Sequence, residues 1–336
     1  VRIAVALLFL ASVVAAVAVH EDSHHARHTT AAPPAEVPAP STTTSAVSAT
    51  TAAPVTTLPP APLPAEQARV IVSPTGVVLP VLSYSAAGWK VTTPCQNTAV
   101  VAHGTPKGPV QVVLDPGHGG TESGAVGTNN GLTEAVLNMA VARDAQAALE
   151  KAGFTVMLTR TGEYNVTLQD RAAIALAAHP AAFVSIHHNA EPDGPFDRPG
   201  TETYYQIKNP ESKRLAGLIY EEVVRALRPY NLHWVADRDA GAKYRPGSTG
   251  DDYYGVLRRS HGVNGVLAEL SFITDPAEAT LLARPDVQQV EGQAVARGVI
   301  RFLTTHDPGS GYTIPYPRTE PAGGGGGPQG CVDPPL

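Results

Sequence analysis

Apolar and polar positions are distributed along this chain in several unlike ways. Runs of five or six mostly apolar residues lie at 110–114, 154–158, 182–186 and 265–270, the length and composition of strands buried on both faces. Between and after them, apolar residues recur at helical spacing over 134–151, 168–178, 212–228 and 287–303. Strands alternating with helices of this length predict an α/β fold over 108–305, with a mostly parallel twisted sheet flanked by helices. The stretch 67–107 reads differently. Val70-Ile71-Val72, Val77-Val78-Leu79 and Gly88-Trp89-Lys90-Val91 are short β-like runs broken by Pro74, Gly76, Pro80 and Pro94. They predict a small β unit, either an SH3-like module or a β-rich extension packed on the next domain.

The two ends carry no such periodicity. Arg2 precedes an unbroken apolar or small-residue run over 3–19, in which Ser12 is the one polar residue. That run suits a cleaved export signal, with Ala16-Val17-Ala18 as the small-x-small site, or a retained N-terminal anchor. Either reading places the rest of the chain outside the cytoplasm: secreted, periplasmic or cell-wall associated. Residues 20–66 form a linker expected to be disordered. Nine prolines between positions 29 and 64, with Glu36 the only charge there, leave nothing to offset the entropy of ordering. His24, His25 and His28 open this stretch and are read as a solvated tail, since no periodic structure surrounds them. The C-terminal residues 306–336, with five consecutive glycines at 323–327, are expected to be flexible.

Composition narrows the function. The net charge of −6 leaves no basic surface for nucleic acid, and it disfavours electrostatic binding to anionic membranes or wall polymers. Over 108–305 there are 18 Lys and Arg against 23 Asp and Glu, so the globular part is itself acidic. Membrane contact is therefore expected only through an uncleaved N-terminal segment, and the protein is expected to be a monomer. Two cysteines cannot build a disulfide scaffold or a zinc site made of four thiolates. In an oxidising compartment Cys95 and Cys331 suggest one bridge from the tail to the β unit, the alternative being two free or intermolecular thiols.

Open α/β sheets form sites at the carboxyl ends of their strands. The first predicted strand runs into Asp115-Pro116-Gly117-His118-Gly119-Gly120, a third ends Ser185-Ile186-His187-His188-Asn189-Ala190, and the 265–270 strand ends Ala268-Glu269-Leu270. Glu134 opens the first long helix. A lone histidine after a strand is more often a turn or core residue, and a lone first-turn glutamate is usually a good helix start. Two histidines and two glutamates at one sheet edge are harder to dismiss. Two His and one carboxylate form a ligand set of catalytic zinc, and a further glutamate nearby can move a water proton.

Val113-Leu114-Asp115-Pro116-Gly117-His118-Gly119-Gly120, Gly131-Leu132-Thr133-Glu134, Ser185-Ile186-His187-His188-Asn189-Ala190 and Leu267-Ala268-Glu269-Leu270-Ser271-Phe272-Ile273 follow in this order. With Leu158-Thr159-Arg160, Leu168 and Arg171, they resemble the zinc-dependent N-acetylmuramoyl-L-alanine amidases of the amidase-3 type, over about 110–304. The resemblance implies an exported cell-wall hydrolase with one Zn2+ per catalytic domain and peptidoglycan or muropeptides as substrate. It implies His118, Glu134 and His187 as zinc ligands and Glu269 as the catalytic glutamate. The implied reaction cuts the amide between the lactyl group of N-acetylmuramic acid and L-alanine. A zinc peptidase acting within the stem peptide, or a non-catalytic wall-binding protein, are the alternatives.

The chain departs from that pattern at His188, where a small residue is usual, at Ser271, where glycine is common, and at Ala175-Leu176. Successive strand residues face opposite sides, so His187 and His188 are not expected to reach one metal. Asp115 either orients a ligand or braces the turn. The short loop at 190–201 argues against an inhibitory helical plug there, and 230–252 is expected to be a cleft rim or mobile loop.

Overall fold

The computed structural model describes residues 63–317 and 326–336. The expected export signal and most of the linker lie outside the described residues. No helix among those described is long and apolar enough to cross a membrane.

The first elements are β1 (Val70–Val72), β2 (Val78–Ser85), β3 (Gly88–Thr92), β4 (Thr98–Val101) and β5 (Thr105–Lys107). They form one antiparallel sheet in the order β4-β3-β2-β1-β5. Its inner face buries Ile71, Leu79, Trp89, Val91 and Val101. The Trp89 indole donates to the Ala65 carbonyl at 2.8 Å. Val70 and Val78 turn the other way and share a cluster with Val113, Met157 and Ile174 of the following domain. The unit is therefore a β extension packed on the α/β domain.

That domain comprises β6 (Val112–Pro116), α1 (Glu134–Lys151), β7 (Val156–Leu158), α2 (Leu168–Ala178), β8 (Ala182–Asn189), β9 (Gly194–Phe196), β10 (Glu202–Tyr205), α3 (Pro210–Leu227), β11 (Trp234–Ala236), β12 (Ala242–Lys243), α4 (Gly255–Arg259), β13 (Gly265–Phe272), α5 (Pro276–Leu282) and α6 (Pro285–Thr304). The central sheet has the order β12-β10-β13-β8-β6-β7. The pairs β13–β8, β8–β6 and β6–β7 are parallel, and β10 runs antiparallel to β13.

Strand parity sorts the two faces. Val112 and Leu114, Val184 and Ile186, and Val266 and Ala268 join the cluster under α1, α3 and α6. Val113, Phe183 and Leu267 point to the opposite face, toward α2, α4 and the β extension. Continuing the alternation puts Asp115, Ser185, His187 and Glu269 on this second face and His188 on the first.

Helix starts follow local chemistry. The Asn209 carboxamide accepts from the backbone N–H groups of Glu211 and Ser212, ahead of Pro210 at the first turn, so α3 starts two residues before its apolar periodicity. Residues 230–252, expected as a rim or mobile loop, contain β11, which pairs with β9, and β12, which pairs with β10. Periodicity could not register strands of two or three residues.

The tail expected to be flexible is anchored in both described parts. Ala242 N–H donates to Gly311 O at 2.8 Å, and the Tyr312 hydroxyl reaches Lys213 O of α3 at 3.2 Å. Farther on, Cys331 is disulfide-bonded to Cys95. The Asp333 carboxylate accepts from Thr93 Oγ1, Cys95 N–H and Asn97 Nδ2, each at 2.8 Å. Glycine content measures the freedom of an isolated segment, and here a cross-link and hydrogen bonds offset it. Replacing both cysteines with serine is expected to cost about 2–4 kcal/mol of stability, read as a lower Tm. An unchanged Tm would show that the other tail contacts suffice.

A second stability prediction concerns Asp170 in the first turn of α2. It is fully buried, and neither carboxylate oxygen has a hydrogen-bond partner among the described residues. Burial pushes its pKa up to about 8, with Arg171 pulling it down and Asp333 pushing it further up. A carboxyl raised in the folded state contributes stability that is complete below its unfolded value and lost as pH rises through the folded one. The wild-type Tm is therefore expected to fall between about pH 4 and pH 8 and to level off above that, and Asp170→Asn to flatten that slope. Equal slopes in the two proteins would exclude Asp170 as the titrating group.

Candidate metal centre and active-site cleft

The site is assembled at the carboxyl edge of β6, β8 and β13. Just past β6 the chain turns through Gly117 and His118, the latter in the left-handed region at φ 59°. Two buried guanidiniums hold this turn by its carbonyls. Arg160 donates to Pro116 O at 2.9 Å and Gly117 O at 3.1 Å, and Arg171 donates to Pro116 O at 2.8 Å and His118 O at 2.6 Å. A Cβ on Gly117 would strike the His187 imidazole, so only glycine lets the two strand ends approach.

Asp115 lies on the same face of the sheet as His187 and accepts from Arg171, Thr159 and Ser185 at 2.6, 2.5 and 2.7 Å. Burial would raise its carboxyl; the Arg171 charge and these hydrogen bonds outweigh that and hold it below the usual carboxylate range. Asp115 therefore braces the turn through Arg171, and its hydrogen bonds go to Arg171, Thr159 and Ser185 rather than to the histidines. Thr159, Arg160 and Arg171 thereby acquire structural roles.

Glu134 sits at the first position of α1, buried between both histidines. His118 Nε2 lies 3.1 Å from Glu134 Oε2, and His187 Nδ1 lies 2.9 Å from Oε1. One ligand atom from each of the three residues falls within 4.8 Å of the others. Burial would raise the Glu134 carboxyl, but hydrogen bonds and charge from His118 and His187 hold it well below its usual range. Burial also lowers His187, which favours the neutral imidazole that can ligate a cation. Two imidazoles and one ionised carboxylate converging from three elements fit a divalent cation of borderline softness, with room for a further ligand.

Glu269 on β13 is the register partner of His187 on β8 and shares its face. Its Oε2 is buried with no hydrogen-bond partner among the described residues. Burial raises this carboxyl well above its usual range, and the nearby Glu134, Glu202 and Asp237 raise it further against the pull of Lys243. Glu269 is thus a proton-hungry carboxylate with a free oxygen beside the three-residue cluster.

The fold brings together all four residues singled out in the sequence and keeps His188 out. His188 points to the other face, where Nδ1 lies 2.8 Å from Asn138 Oδ1 and Nε2 lies 3.3 Å from Glu291 Oε2. Glu291 Oε1 in turn accepts from Ser271 Oγ at 3.1 Å. Two of the departures from the amidase pattern, His188 and Ser271, therefore meet on one buried carboxylate of α6. Asn138 carries this network to the site, donating to Glu134 Oε1 at 3.3 Å and Gly117 O at 3.4 Å. Sequence reading missed Asn138 and Glu291, which lie in helices where only their burial marks them.

It also missed Glu202, the partner of Glu269 across β10 and β13. Glu202 accepts from Lys243 Nζ at 2.7 Å and from the Tyr204 hydroxyl at 2.6 Å, and Lys243 also reaches Asp239 at 2.6 Å. This buried ammonium is shared by Glu202 and Asp239, which cluster with Asp237. His261, unassigned by any motif, pairs with Asp252 at 2.7 Å.

In front of His118, His187 and Glu269 opens a cleft of about 920 Å³. Its walls come from the 121–124 turn, the start of α2, the 253–259 segment and the tail at Gly326, Gly327 and Pro328. The tail wall is bonded in place: Leu168 N–H donates to Gly326 O at 2.8 Å, and Gly326 N–H donates to Glu122 Oε1 at 3.0 Å.

Comparison with known proteins agrees with this geometry. Residues 112–301 match the family described as N-acetylmuramoyl-L-alanine amidase. A Bacillus subtilis protein, YqiI, is 35% identical over 208 residues, covering 61% of this chain and 88% of that protein. The N-acetylmuramoyl-L-alanine amidase AmiA of Salmonella typhimurium is 30% identical over 235 residues, covering 60% and 79%. A crystal structure of an N-acetylmuramoyl-L-alanine amidase from Clostridium difficile superposes with a TM-score of 0.50 at 28% identity, covering 60% of this chain and 100% of that one. Family match and fold coincide on the domain that carries the His118–Glu134–His187 cluster, and the chain belongs to the N-acetylmuramoyl-L-alanine amidase family of cell-wall hydrolases.

Proposed function

We propose that this protein is a zinc hydrolase that cleaves the amide between the lactyl group of N-acetylmuramic acid and the L-alanine of peptidoglycan stem peptides. His118, Glu134 and His187 hold the ion, and Glu269 is the general base and acid. The observation that carries this reading is the register pairing of His187 with Glu269, which sets a free carboxylate oxygen beside the ligand cluster. When bound, zinc supplies Lewis acidity for the attacking water and for the scissile carbonyl. The raised proton affinity of Glu269 suits it to take a proton from that water. As the carbon–nitrogen bond breaks, the same proton passes to the alanine nitrogen, giving a lactyl carboxylic acid and an amine, and the acid's remaining proton then moves to the amine to leave carboxylate and ammonium. Arg160 and Arg171 hold the His118 turn, and Asn138 holds Glu134, so little reorganisation is needed during the reaction. The cell-wall amidases among the relatives, and the apolar run at 3–19, support action outside the cytoplasm on peptidoglycan or its fragments.

Mass spectrometry of a digested muramoyl peptide tests the assignment. An amidase leaves a bare lactyl-muramic acid and a peptide beginning with free L-alanine, whereas a peptidase within the stem leaves alanine on the sugar. Retention of that alanine in every product would overturn the proposal, as would no release at all from zinc-loaded protein.

Chelation gives an independent check. Removing metal is expected to abolish turnover and to lower Tm, because two imidazoles and a carboxylate then lose their shared cation. Adding back zinc should restore both, and full activity after exhaustive chelation would rule the metal role out.

A further inference from the structure

We propose that Arg259 is the anchor for a carboxylate of the substrate's peptide stem, so that the cleft selects stems bearing free carboxylates over amidated ones. The inference rests on the amidase reading and concerns which stems the same cleft accepts.

Most basic side chains of the cleft are already in use. His118 and His187 are turned to Glu134. Arg171 is bound to Asp115 and to backbone carbonyls. Arg258 Nη1 is held by the carbonyls of Asp252 and Tyr253 at 2.5 and 2.7 Å. Arg259 is the remaining cation of the lining. Its only hydrogen bond among the described residues is a long one, 3.4 Å, from Nη1 to Gly255 O. A cleft in an acidic domain thus presents one guanidinium whose planar fork is open to a ligand, and that fork matches a carboxylate with two parallel hydrogen bonds.

Its position is built by a glycine. Arg259 closes the five-residue helix α4 and folds back over Gly255, the first residue of that helix. A Cβ on Gly255 would stand 2.8 Å from Arg259 Nη1 and 2.8 Å from Leu168 Cδ1. Arg259 is an exposed residue, and its guanidinium lies against the Gly255 backbone beside the Leu168 side chain, within reach of a ligand that enters from solvent. Glu122, on another wall, has one oxygen bonded to Gly326 N–H. A muramoyl peptide is neutral at the amide to be cut, and its carboxylates lie on the departing stem. Arg259 would hold that stem and so orient the scissile bond.

The test compares kcat/KM on two muramoyl tripeptides, one with free carboxylates and one with those carboxylates amidated. The wild type is expected to prefer the acid form by about tenfold, as one charge-assisted bidentate contact allows, and to lose much of that preference at about 0.5 M salt. Arg259→Gln should bring the ratio to about one, chiefly through KM on the acid substrate, and Arg259→Lys should retain part of it. Gly255→Ala, which pushes the guanidinium off its seat without removing charge, should also lower the ratio. An acid-to-amide ratio that stays at its wild-type value in Arg259→Gln, or a wild type with no preference, would overturn the inference. Failure of the wild type to cleave either tripeptide would instead overturn the amidase reading.

Discussion

Glu269→Gln is expected to lower kcat by about 10²–10⁴-fold, the usual worth of a positioned acid–base group, while the protein still binds zinc. The variant keeps the shape of the side chain and removes only its capacity to take a proton. At about 1.4 kcal/mol per tenfold, this is a loss of roughly 3–5 kcal/mol of transition-state stabilisation. The same change should stabilise the metal-free fold. Burial and three neighbouring carboxylates raise the Glu269 carboxyl well above its usual value, so ionising it in the folded protein is costly. By linkage, the favourable contribution of a raised carboxyl is present in acid and lost as pH rises. The glutamine variant is spared that loss, and its Tm without metal should exceed that of the wild type at about pH 8 and match it near pH 4. Thermal unfolding at the two pH values, beside single-turnover cleavage, checks both halves. A variant that is inactive but no more stable would mean that the carboxylate is relieved by a contact the structure does not contain. A variant that stays active would remove Glu269 from the mechanism.

Glu291→Ala carries the largest expected cost to the fold. Glu291 and His188 are completely buried, and Ser271 has no appreciable exposure. The Asn138 carboxamide nitrogen donates to Glu134 and Gly117 O, so its oxygen faces His188, and His188 must carry a proton on Nδ1. Truncation at Glu291 would leave His188 Nε2 and Ser271 Oγ without a partner in a dry site and open a cavity between α6 and the sheet. Losing one side of such a pair costs about 3 kcal/mol or more, a large share of the ~5–15 kcal/mol that holds a typical domain folded. A Tm drop of roughly 10 °C is expected for a domain of this size. Glu291→Gln can accept from Ser271 and donate to His188 Nε2, and should recover most of the loss. The network also reaches the proposed metal ligand Glu134, since the His188 N–H donates to Glu134 Oε1 at 3.2 Å. Zinc affinity is accordingly expected to fall about 10- to 100-fold in the alanine variant, measurable by competition with a chelating dye. Unchanged affinity would show that Glu134 is held without help from α6.

The convergence of the four candidate site residues was legible in the sequence because each is tied to a strand end or a helix start. Glycine turns and buried strands are written in local composition, and sites in open sheets collect at one edge. Strand parity showed that His187 and His188 could not both reach one metal, and position in the motif that resembles the amidases selected His187. The charge network was not legible. Glu202 sits in the strand segment Glu-Thr-Tyr-Tyr, where alternation says nothing of a carboxylate facing Lys243. Arg259 follows an identical residue, and only packing shows that Arg258 is held by carbonyls while its neighbour is left open.

By itself, then, the sequence determined the α/β alternation, the strand ends that carry His118, His187 and Glu269, and the face on which each side chain lies. These follow from short-range rules of periodicity, turn chemistry and pleat. The tertiary structure alone decided the rest. It brought His188 and Ser271 to one carboxylate, surrounded Glu269 with acids that raise its proton affinity, and fastened the C-terminal segment along the cleft. Those outcomes depend on which distant segments share a dry interior or a cross-link. Contacts between residues 20 to 236 positions apart leave no periodic trace in the chain.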